Sequence, residues 1–116
     1  MDERLKAALE FSNFKQSFAI KLKHLKEKID ANLTYGHNGG LFKIDRALLT
    51  FVQSLCQTGR IENVIILDNN ENPVMIENLE SFKDEIFDRY FSSTNEYYNE
   101  FQKLKTSRSV ERLLDE

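Results

Sequence analysis

Between Asn78 and Lys105 the chain places seven of its thirteen aromatic residues. Read as a helix, Leu79, Phe82, Ile86, Tyr90, Tyr97, Phe101 and Leu104 recur every three, four or seven residues and share one face. Phe87, Phe91, Thr94 and Tyr98 form a second seam beside it. A face this wide exceeds a coiled-coil edge, so this helix is expected to be the wall against which the rest packs. Ser93 with Glu96 three residues on would fit a capping box. The aromatic repeat nevertheless keeps phase across Ser92–Asn95, which favours one continuous helix.

At the other end, Phe11, Phe14, Phe18, Leu22, Leu25, Ile29 and Leu33 are spaced 3, 4, 4, 3, 4, 4. This eleven-residue period matches a straight helix from Met1 to about Ala31. Lys15, Lys21, Lys23, Lys26 and Lys28 flank the stripe on both sides. Their stems can cover apolar surface; as a phosphate-binding face they are the sharper alternative. Residues 61–90 are acidic, and the two segments could attract within one fold or between subunits.

Between the long helices lie shorter elements. The Leu33–Ile44 stretch holds three of the four glycines and reads as a small hairpin. As a phosphate cradle, Tyr35–Gly40 lacks the endings of a P-loop or a dinucleotide fold. Asp45 is a good N-cap for a helix over 46–57, and Gly59 a good C′ residue. Asn63–Asp68, Asn69–Asn72 and Pro73–Ile76 form the clearest hairpin signal. The continuous Val64-Ile65-Ile66-Leu67 run predicts burial on both sides or a strand against the long helices. Pro73 suits the first residue of an edge strand, and Asn78 caps the aromatic helix. Thr106–Ser109 reads as a break, leaving 107–116 as a short amphipathic tail with Val110, Leu113 and Leu114 on one face.

The expected fold is therefore α+β and mostly helical. It has two long antiparallel helices, one short helix and one or two small β-hairpins, as one domain over 1–106 with the tail attached. The size is sufficient for a core without metal or disulfide. A net charge of −3 gives no overall attraction to nucleic acid or anionic membrane. The single cysteine, Cys56, reads as a small core residue. The Met-Asp-Glu-Arg opening has no apolar segment of a signal peptide, and no apolar run is long enough to span a membrane. His24 and His37 have no Cys or carboxylate partner at ligand spacing, so no metal, cofactor or catalytic constellation is expected. The chain reads as a non-enzyme.

Phe14-Lys15-Gln16-Ser17-Phe18, Asn32 to Gly40, Phe42-Lys43, Arg89 to Tyr98 and Ser107 to Val110 together resemble small proteins of T-even-like myophages of marine cyanobacteria. The resemblance covers about residues 14–114 and brings no site residues with it. It implies a viral protein made in a bacterial cytoplasm, either an assembly or virion component or a regulator of host machinery.

The expectation is a protein-interaction protein that acts as a phage assembly or structural component and forms a homodimer or higher oligomer. A phage or host protein is the other partner considered. The alternative is an accessory factor of transcription or replication, touching nucleic acid through Lys21 and Lys28 or a polymerase or clamp through Val110, Leu113 and Leu114.

Overall fold

The computed structural model describes residues 2–114, with side chains over 2–106. The elements are α1 (Glu3–Asn32), β1 (Thr34–His37), β2 (Gly40–Lys43), α2 (Arg46–Gln57), β3 (Glu62–Leu67), β4 (Pro73–Asn78) and α3 (Leu79–Leu114). The fold is α+β and mostly helical, with two long helices, one short helix and two antiparallel hairpins. The chain forms two compact units: Met1–Lys28 with Glu96–Glu116, and Ile29–Asn95. Both long helices run through both units.

The Ile29–Asn95 unit holds the main core. Phe42, Ile44, Leu49, Val52, Ile66, Val74, Ile76, Leu79, Phe82 and Ile86 are buried together. Each such side chain contributes about 1.5–3 kcal/mol of burial. Cys56 is half-buried against this cluster.

Local signals set the element ends. The Asp45 carboxylate accepts from the Leu48 N–H at 2.8 Å, capping α2. Gly59, at φ +82°, closes its other end by donating to the Cys56 carbonyl. Asn78 Oδ1 accepts from the Ser81 N–H and starts α3. Asn38 and Gly39 both have positive φ (47° and 79°), the geometry of a tight two-residue hairpin turn. Pro73 opens β4, where no ladder donor is needed.

One of two alternatives is excluded here, with Ile66 buried beside Leu79, Phe82 and Ile86 of α3, and one expectation fails. The Val64–Leu67 run is not buried on both sides: Ile66 is buried, whereas Ile65 and Leu67 are 54% and 60% exposed. A two-stranded ribbon has one face on the core, so alternation decides which side chains are covered. The break at Thr106–Ser109 is also absent, and α3 continues to Leu114. Thr106 Oγ1 donates to the Gln102 carbonyl one turn back, so its hydroxyl is satisfied inside the helix. Thr94 does the same with Tyr90, and the helix runs through Ser92–Asn95 as expected.

Asp68 knits the two hairpins together. It directly follows β3 and is buried. One carboxylate oxygen accepts from the N–H groups of Asn70 and Asn72, both at 2.9 Å. The other accepts from the Leu41 N–H of β2 at 3.1 Å. Next to it, Asn69 donates its N–H to the Leu41 carbonyl and accepts from the Lys43 N–H. Asn38 Nδ2 donates to the Met75 carbonyl. Side chains of one hairpin thus complete the strand edge of the other. The hydrogen bonds from Asn72, Leu41 and Asn70 hold the Asp68 carboxyl below its ordinary value of 3.8, against the opposing effect of burial.

A folded-state carboxyl that is more acidic than in the unfolded chain stabilises the fold above the unfolded value. That stability is lost as pH falls through the folded value. Asp68→Asn, which puts an amide donor among backbone donors, is therefore expected to lower the urea midpoint at neutral pH. The gap to wild type should narrow as pH drops below about 3.8. Phe82→Ala is expected to cost roughly 3–5 kcal/mol, whereas Phe91→Ala, at 56% exposed, should stay within about 0.5 kcal/mol. The same urea titrations measure both.

Candidate interaction surface

Among its described residues, the Met1–Lys28 and Glu96–Glu116 unit is built from two helical segments. They run antiparallel, since Lys28 meets Glu96 at 2.7 Å while Phe14, Phe18 and Lys21 share a groove with Leu104. Two helices can cover only one stripe each. Phe14, Phe18 and Leu22 on α1, and Tyr97, Phe101 and Leu104 on α3, are accordingly only half-buried. Among the described residues of this unit, Leu25 is the one buried apolar side chain. Phe11, Ile20 and Tyr98 are about half exposed or more.

The stripe foreseen on α1 is therefore present from Phe14 onward, but Phe11 falls outside its covered part. The second aromatic seam of α3 is not a packed wall. Phe87 and Thr94 are half-buried, while Phe91 and Tyr98 face solvent. Too few other elements exist to cover so wide a face.

Lys21 is exposed and lines the groove. Lys28 is bound to Glu96, whose hydrogen bond and charge raise the lysine above its ordinary value. The expected attraction between residues 15–28 and 61–90 is not what Lys28 makes, because Glu96 lies beyond the acidic segment. Sequence reading missed this pair, since antiparallel helices bring together residues 68 positions apart. Val110, Leu113 and Leu114 fall in the last turns of α3, and their side chains lie outside the described residues.

In the Ile29–Asn95 unit, the Tyr35–Gly40 segment is the first hairpin. The Tyr35 hydroxyl is 3.2 Å from His37 Nδ1, and both rings meet the edge of Phe82. Arg89 lies over the Tyr35 ring at 4.4 Å and reaches Glu85 Oε1 at 2.7 Å. These residues pack on one another beside a shallow open cleft. His24 does have a carboxylate nearby, Glu27 at 3.8 Å one helical turn on, contrary to expectation. No group of three or more His, Cys, Asp or Glu among the described residues is placed to hold a metal ion. No helix among them is long and apolar enough to cross a membrane.

The molecule is thus a mostly helical α+β protein with a two-helix unit and a hairpin-and-helix unit. No family model, curated protein or solved structure matches the chain.

The hairpin glycines separate a structural from a ligand-cradling role. A Cβ at Gly40 would collide with the Val74 side chain, and Gly39 needs its positive φ. Gly40→Ala and Gly39→Ala are both expected to lower the melting temperature, whereas Gly36→Ala, with only the Gly40 carbonyl near, should lower it least. Thermal unfolding followed by circular dichroism ranks the three.

Proposed function

We propose that the chain is a non-enzymatic protein-interaction protein that associates with itself through its two-helix unit and serves as a structural or assembly component. The observation that carries this reading is the half-burial of both apolar stripes along that unit. Two helices leave each aromatic stripe partly wet, and further helices would cover it. The resemblance to small phage proteins makes the setting a virion or its assembly in the host cytoplasm. A nucleic-acid role resting on Lys21 and Lys28 has less support, since Lys28 already holds Glu96 and the net charge is −3.

The test is solution mass by light scattering over a range of concentrations. The full chain is expected to be a dimer or larger. Phe18→Glu should shift it to monomer while the helical circular dichroism is kept. A wild-type chain that stays monomeric at every concentration overturns the reading. The same measurement on a chain ending at Lys105 shows whether Val110, Leu113 and Leu114 contribute: an unchanged mass assigns association to the helical unit upstream of them.

A further inference from the structure

The groove on α1 is chemically complementary to itself when reversed. Its α1 lining is Glu10, Asn13, Phe14, Ser17, Phe18 and Lys21, with Leu104 of α3 at its side. At 100° per residue these six α1 positions share one face, which overlaps the stripe that packs on α3 at the half-buried Phe14 and Phe18. Their spacing of 3, 1, 3, 1, 3 reads the same from either end. An acid stands at one end and a base at the other. Each aromatic is matched by a small or short residue at the mirrored position: Phe14 by Ser17, and Phe18 by Asn13. The face is about 16 Å long.

Resting on the reading of self-association, we propose that the occupant of this groove is the α1 helix of a second copy. It lies antiparallel across a two-fold axis between Lys15 and Gln16. Glu10 then faces Lys21 of the other copy, twice by symmetry. Phe14 sits against Ser17 and Phe18 against Asn13, so that each large ring enters the space beside a smaller side chain. A two-fold interface requires this kind of self-complementarity, because one surface must serve both sides. Among the described residues, neither Glu10 nor Lys21 takes part in an ion pair within its own chain. An acid–base pair facing itself in reverse also fixes the register, since a parallel pairing would set Glu10 against Glu10 and Lys21 against Lys21.

Charge reversal tests this pairing, with the dimer dissociation constant measured by sedimentation for each protein. Glu10→Lys alone and Lys21→Glu alone each place two pairs of like charges across the axis. Each should weaken the dimer about tenfold or more. The double variant Glu10→Lys, Lys21→Glu restores two opposite pairs and should return close to wild type. Recovery in the double variant is specific to this register, since a partner of different sequence would be repelled by at least one reversed charge. If the wild type dimerises and the single reversals leave the constant unchanged, or the double variant stays as weak as the singles, the α1 register is wrong while self-association stands. If the wild type does not dimerise at all, self-association itself fails.

Discussion

A buried carboxylate at the end of a strand decides how the two hairpins sit against each other. Asp68 accepts three backbone hydrogen bonds, two from its own turn and one from β2. Neither hairpin alone is large enough to be stable. Joined through Asp68, Asn69 and Asn38, they present Phe42, Val74, Ile66 and Ile76 to α2 and the first turns of α3. Gly40 belongs to the same arrangement, because only a residue without Cβ lets β2 lie against Val74. The core then closes over Leu79, Phe82 and Ile86, none more than 2% exposed.

The helical unit obeys the opposite constraint. Its two segments carry apolar stripes nearly as regular as those of the core unit, yet its described residues form no sheet or third helix to cover them. Ion pairs such as Lys28–Glu96 and Lys103–Glu100 are exposed and contribute little to holding it together. A pair of helices with aromatic stripes and weak surface ion pairs has most to gain from a partner that excludes water. This half-covered state is the observation on which the proposal of self-association rests. In the other unit, the Tyr35 ring packs on Phe82 and under Arg89.

Much of the fold was legible in local sequence. Asp45, Gly59 and Asn78 mark helix ends because a cap is a contact within three or four residues. Asn38-Gly39 marks a turn because few residues adopt two successive positive φ angles. The stripe on α1 and the phase of the aromatic repeat gave both long helices. Hydrophobicity misled where coverage mattered. Ile65, Leu67, Phe91 and Tyr98 are as apolar or aromatic as their buried neighbours, but whether they are covered depends on elements elsewhere in the chain. Thr106–Ser109 resembled a break because serine and threonine compete for backbone groups. In α3, Thr106 makes its hydrogen bond inside the helix instead.

The sequence by itself determined the elements, the capped ends at Asp45, Gly59 and Asn78 and the main apolar stripes, since these follow from backbone sterics, capping and periodicity over a few residues. Tertiary structure alone decided the role of Asp68, the partner of Lys28 and the joining of Glu10 to Lys21 as two ends of one groove. The first two are contacts between residues 27 to 68 positions apart. The groove depends on α3 returning alongside α1. Such meetings are set by how packed elements share a limited interior and by which faces they leave uncovered, and no local pattern encodes that.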